Sequence, residues 1–135
     1  MVAADKGEKK KGDAEKIQGK WALTTAMDSG KHQVKGIEHF KLIVTAKHFR
    51  LEFRDKVLQE FAYKLDASKH PKWIDVTEIR DGEARDPARG IYELKGDTLK
   101  ICFPDFHRRG SRSTAFESKP DSVNDVLLIG KREKP

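Results

Sequence analysis

Ile17-Gln18-Gly19-Lys20-Trp21 stands near one end of this 135-residue chain and Lys131-Arg132 near the other. Between them the sequence reads as one series of short β-strands. From Ile17 onward apolar and polar residues alternate with period 2, as expected when each strand has one buried and one wet face. The alternation predicts strands at about 17–27, 39–45, 48–54, 57–65, 72–79, 88–95, 98–103 and 124–132, with a shorter extended piece at 112–117.

Register follows from the same pattern, because residues opposed on one face should be apolar together. With Ala46-Lys47 as a two-residue turn, Val44 faces Phe49, Leu42 faces Leu51 and Phe40 faces Phe53. With Gly96-Asp97 as a second tight turn, Leu94 faces Leu99, Tyr92 faces Ile101, and Gly90 sets the smallest residue against Phe103. An odd-length loop at Arg54-Asp55-Lys56 would keep Val57, Phe61, Tyr63 and Leu65 on the face of Phe53, leaving Leu58, Glu60, Ala62 and Lys64 outward.

Sequence-adjacent hairpins without intervening helical patterns argue for an up-and-down meander. The expected fold is all-β: an eight-stranded antiparallel up-and-down barrel, whose closure removes exposed edges and whose interior is either just filled by side chains or holds one small ligand. The inward set is Phe40, Leu42, Phe49, Leu51, Phe53, Phe61, Tyr63, Tyr92, Ile101 and Phe103. These residues serve equally as a packed core or as the wall of an apolar pocket. A buried phenol needs a hydrogen-bond partner, which a ligand, a water or a backbone group would supply to Tyr63 and Tyr92. The segment 28–38, with Gly30 and Gly36, is long enough to fold over one mouth, and 104–123 is the other irregular stretch.

Residues 1–16 contain no aromatic residue and little to bury, so ordering them would cost about 1–2 kcal/mol per residue with nothing to offset it. They read as a flexible Lys-rich tail ahead of a domain at 17–133. Five lysines against four acidic residues there carry +1 of the formal +6, leaving +5 for residues 17–135. In the domain the charges mostly interleave; the unbalanced cluster is His107, Arg108, Arg109 and Arg112. It suits an anionic group through guanidinium chemistry, although Arg112 is better read as holding the long loop through carbonyls or a carboxylate. Trp73 is either an outer-face aromatic or a mouth residue.

No stretch approaches the roughly 20 apolar residues needed to span a membrane. Met1-Val2-Ala3-Ala4-Asp5-Lys6 has no apolar run, so it is either a cytoplasmic start or what remains after a signal peptide. The single Cys102 leaves no internal disulfide or Cys-based zinc site. His32, His39, His48, His70 and His107 are scattered without ligand spacing. Asp75, Glu93 and Glu52 fall on outward parity, and no nucleophile elbow or phosphate loop occurs. No metal, cofactor or catalytic residue is expected, and the chain is read as a monomeric, non-enzymatic binding module without specific nucleic-acid recognition.

The opening motif is similar to the first-strand motif of lipocalins and their relatives. That likeness implies that Trp21 closes the barrel floor, that Gly19 lets the strand bend, and that a cation from the last strand lies across the indole. Arg132 shares parity with Val126 and Leu128 and is the better candidate, with Lys131 second. A longer resemblance runs through 17–133. Tyr63-Lys64-Leu65-Asp66-Ala67-Ser68-Lys69-His70-Pro71-Lys72-Trp73-Ile74-Asp75, Gly90-Ile91-Tyr92-Glu93-Leu94-Lys95-Gly96-Asp97-Thr98-Leu99-Lys100-Ile101-Cys102 and Arg112-Ser113-Thr114-Ala115-Phe116 resemble an uncharacterised lipocalin-like family abundant in planctomycete bacteria. Ser113 stands where that family usually has Pro. The resemblance implies the barrel but carries over no catalytic residue. Relative to typical lipocalins, the disulfides and the helix after the last strand are missing. The function expected is non-covalent binding of an apolar or amphipathic small molecule; the alternative is an interaction module that contacts a polyanion or cell-envelope component through its basic surface.

Overall fold

The apolar alternation of 40–53 folds back at Ala46-Lys47 in the computed structural model, which describes residues 12–28, 36–84, 87–104, 112–113, 115–116 and 125–133. Strands β1 (Gly19–Asp28), β2 (Phe40–Val44), β3 (His48–Phe53), β4 (Lys56–Asp66) and β5 (Lys72–Arg80) follow one another as antiparallel neighbours. A two-residue strand, β6 (Glu83–Ala84), extends β5 in a short hairpin that sequence alternation does not reveal. Then come β7 (Ala88–Lys95), β8 (Thr98–Pro104) and β9 (Asp125–Arg132). Because β9 pairs with β1 and β4 with β5, eight strands close into an antiparallel up-and-down barrel of the lipocalin-like kind.

The two tight hairpins have the expected register: Phe40 opposes Phe53, Leu42 opposes Leu51 and Val44 opposes Phe49, while Tyr92 opposes Ile101 and Leu94 opposes Leu99. The third hairpin differs. Arg54 and Asp55 alone make the turn, both with positive φ (50° and 69°), the conformation that matches hairpin twist. Phe53 therefore pairs with Lys56, and a bulge opposite Leu51 and Glu52 takes up the odd residue. Inward parity resumes at Gln59 and Phe61. Val57, expected inward, is instead 52% exposed, as is Leu58. At 112–113 and 115–116 the described residues form no strand, in contrast to the extended piece expected over 112–117.

The floor is built from the first and last strands of the barrel. Trp21 is fully buried opposite Arg132, whose guanidinium carbon lies 4.2 Å from the centroid of the indole. Arg132 donates through Nη1 to the Gln18 carbonyl (2.8 Å) and through Nη2 to that of Lys16. Gly19 has φ of 136°, and a Cβ there would come 2.8 Å from Arg132 Nη1, so glycine fits both the bend and the cation.

Residues 12–16 do not continue the tail. They form a helical turn, α1 (Asp13–Lys16), that seats Ile17 in the core, and the Trp21 indole N–H donates to the Ile17 carbonyl at 2.9 Å. The physical reason is Asp13, whose Oδ2 accepts from Lys72 Nζ at 2.8 Å and from the Tyr92 hydroxyl at 2.7 Å. By composition these residues are polar and unanchored; two distant strands anchor them. The rest of the expected tail, residues 1–11, the mouth-covering part of 28–38 at 29–35, and His32, His107, Arg108 and Arg109 lie outside the described residues.

Burial alone would raise the Asp13 carboxyl, but the hydrogen bonds from Lys72 and Tyr92, with the charges of Lys72 and Lys16, outweigh it and hold the group below its ordinary 3.8. A depressed folded value stabilises above the unfolded one, and the contribution is lost as pH falls through the folded one. Asp13→Asn should therefore cost about 1–2 kcal/mol near neutrality, the worth of a charged hydrogen bond. The wild-type advantage should shrink as pH falls from neutrality to strongly acid values, where Asp13 takes up its proton and both chains lack the ion pair. Urea denaturation at neutral and at strongly acid pH checks this, and a difference independent of pH would refute it.

Candidate functional site

Most of the inward residues form one contiguous cluster whose packing is uneven along the barrel. Leu42, Phe49, Phe61, Tyr63, Tyr92, Ile101 and Phe103 are buried in it with Trp21, Ile74, Val76 and Leu99. Phe49 and Phe61 stack at 4.8 Å, Phe49 lies 5.9 Å from Tyr63, and Phe61 meets Phe103 edge-on at 6.2 Å. Both phenols find protein partners. Tyr63 donates to the Thr45 carbonyl at 2.6 Å and Tyr92 to Asp13. Burial raises both above the ordinary tyrosine value, and for Tyr92 the hydrogen bond to Asp13 and its negative charge raise it further.

The other inward residues are only partly buried. Phe40 and Leu51 pack against the cluster, with Ile37 and Val126 beside them. Phe53 lies outside it, at the rim, against Phe40 (4.8 Å) and His39 (5.9 Å), with the Arg54 guanidinium 5.3 Å from its centroid. These residues sit toward the β3–β4 turn and the end of β5, away from the Trp21 floor.

Among the described residues, a carboxylate shares this interior. Along β5 the inward positions are Ile74, Val76 and then Glu78, which opposes Phe61 and is 8% exposed. Gln59, opposite Leu51, donates through Nε2 to Glu78 Oε2 at 3.3 Å, and Arg80 donates through Nη2 to the same oxygen at 3.1 Å. Sequence reasoning that weighs Asp75, Glu93 and Glu52 as barrel carboxylates passes over Glu78. The signal is present in parity alone, since Glu78 is two residues past Val76.

On the outer wall a second cluster of Ile91, Cys102 and Leu127 is flanked by Met27, Trp73, Phe116 and Ile129. Cys102 is thus a packed outer-face thiol. Trp73 is an outer residue held between two cations, Arg112 at 4.0 Å and Lys69 at 4.7 Å from its ring centroid. Arg112 also donates to the Gly90 carbonyl (2.9 Å) and lies 2.8 Å from Asp75 Oδ1. It fastens the long connection to the wall, as expected from its position. A groove of about 540 Å³ crosses β3, β4 and β5, lined by Lys47, His48, Ala62, Tyr63, Lys64, Asp75, Thr77 and Pro87. Among its described lining residues the carboxylate is that of Asp75, beside Arg112.

Among the described residues no helix is long and apolar enough to cross a membrane, and no three His, Cys, Asp or Glu side chains converge as a metal set. No family model, curated protein or solved structure matches the chain. Geometry alone therefore sets its class: a closed eight-stranded barrel with a plugged floor and an inward carboxylate.

Proposed function

We propose that the barrel binds one apolar or amphipathic small molecule non-covalently, between the packed floor and the opposite mouth. The observation that carries this reading is the partial exposure of inward apolar side chains: Phe40, Leu51 and Phe53 face the interior yet are not buried. An inward side chain of a closed barrel is accessible only from inside or through a mouth. Apolar surface left there is surface a ligand can cover, at about 25 cal/mol per Å² removed from water.

The phenols of Tyr63 and Tyr92 have protein partners, which supports reading those two residues as scaffold. The wall of the site is Phe40, Leu51 and Phe53, with Gln59 and Glu78 as its polar members.

The test is titration with a solvatochromic amphiphilic dye, followed by displacement with alkyl-chain competitors. Saturable binding of one dye per barrel is expected, weakened about tenfold or more by Leu51→Trp, which fills the space, a loss of about 1.4 kcal/mol. Absence of saturable binding, or full binding in the folded Leu51→Trp variant, would overturn the proposal.

A further inference from the structure

We infer that Glu78 is the polar recognition point of the interior, selecting amphiphiles whose head group donates hydrogen bonds, such as an alkylamine or alkanol, over those ending in a carboxylate. The inference rests on the binding role proposed above and specifies the chemistry of its ligand.

The first support is the carboxylate's position. Glu78 occupies an inward place opposite Phe61, within a stack formed with Phe49 and Phe103. A leucine there would complete an apolar layer, whereas a carboxylate must be desolvated and then compensated. Buried ion pairs are seldom better for stability than apolar residues of the same size. The fold gains little from this residue.

The second support is the asymmetry of its partners. Gln59 is neutral, and the Arg80 side chain is 56% exposed, so solvent screens much of the arginine charge on its outer side. Glu78 is enclosed. A ligand inside the barrel therefore meets an acceptor more strongly than a cation. Register places that acceptor beside the apolar wall, since Gln59, which reaches Glu78, opposes Leu51.

The third support is the cost of the alternative head group. A carboxylate entering this site would face Glu78 directly, and two like charges that close repel each other. To reach Arg80 it would have to draw that side chain off Glu78 and leave the carboxylate uncompensated. An ammonium or hydroxyl instead donates to Glu78 while Arg80 swings toward water.

Displacement of the bound dye by dodecylamine, dodecanol and dodecanoate at neutral pH tests the inference. Dodecylamine should compete about tenfold or more better than dodecanoate, with dodecanol between them. Glu78→Gln should remove most of that preference while dodecanol still binds. Arg80→Gln, a change at an exposed side chain, should increase it severalfold and keeps the test decisive should Glu78→Gln fail to fold. Equal competition by dodecanoate in the wild type overturns the inference while leaving the binding role intact. So does a preference unchanged in both variants. If no amphiphile displaces the dye and the dye itself does not saturate, the binding role falls and this inference with it.

Discussion

Replacing Trp21 with alanine is expected to destabilise the protein by about 3–5 kcal/mol, the range for removing a large buried aromatic side chain. Trp21 is completely buried and carries three kinds of contact at once. It packs in the main core, donates to the Ile17 carbonyl, and supports the Arg132 guanidinium on its ring face. Truncation leaves a cavity, an unsatisfied carbonyl on the plug and a cation with no surface to lie on. The loss is a large share of the roughly 5–15 kcal/mol that holds a domain together. Trp21→Phe should recover most of the packing and lose the indole bond, a cost of about 1–2 kcal/mol. The urea midpoints of the two variants measure both, and a loss below about 1 kcal/mol for alanine would show that the floor does not depend on Trp21.

The second large effect comes from adding one methyl group. Gly90 lies on β7 against its neighbour β8, and a Cβ there would come 2.4 Å from the Cys102 carbonyl oxygen and 2.7 Å from Phe103 Cβ. The nearest obstacle is backbone, so no rotamer change relieves it. Gly90→Ala must push the paired strands apart or displace Phe103 from its contact with Phe61, and it also disturbs the carbonyl that Arg112 holds. About 3 kcal/mol or more is expected, at the upper end of overpacking costs. Gly96 is the control: it has φ of 60° but open space around a Cβ. Gly96→Ala should cost about 1–2 kcal/mol from backbone conformation alone. If thermal denaturation gives the two variants equal losses, the close approach at Gly90 is not what sets its cost.

Much of the barrel is legible in the chain because period-2 alternation makes a face, and turns such as Ala46-Lys47 and Gly96-Asp97 fix which residues oppose. Arg132 is legible in part: the likeness of the opening motif implies a cation over Trp21, and parity selects Arg132 over Lys131 as the one that pairs with it. What local pattern cannot distinguish is how an odd residue is absorbed. A three-residue loop and a two-residue turn with a bulge give Phe61 the same orientation, and the difference shows only at Val57 and Leu58. Long-range anchoring is equally hidden. Asp13 sits in a polar segment, and its partners Lys72 and Tyr92 come from strands far along the sequence. Parity leaves Trp73 undecided for a related reason, since its two cations, Lys69 and Arg112, come from separate connections of the barrel wall. Glu78 belongs to a different category. The rule that places Val76 inside places it inside too, and a glutamate on an apolar stripe is the kind of exception worth counting first.

The Glu133 backbone N–H donates to the Lys20 carbonyl at 2.8 Å, beside the pair formed by Trp21 and Arg132. The first and last strands thus meet as ordinary neighbours, and the eight strands make a ring in which the break in the chain falls at the floor. Topologically that break is movable: a short linker across it and a new opening at Gly96-Asp97 would give a permuted chain with the same pairing. It also sets which way the molecule faces when held. A tether entering through β1 or leaving through β9 grips the plugged end, so an anchored barrel presents its mouth outward.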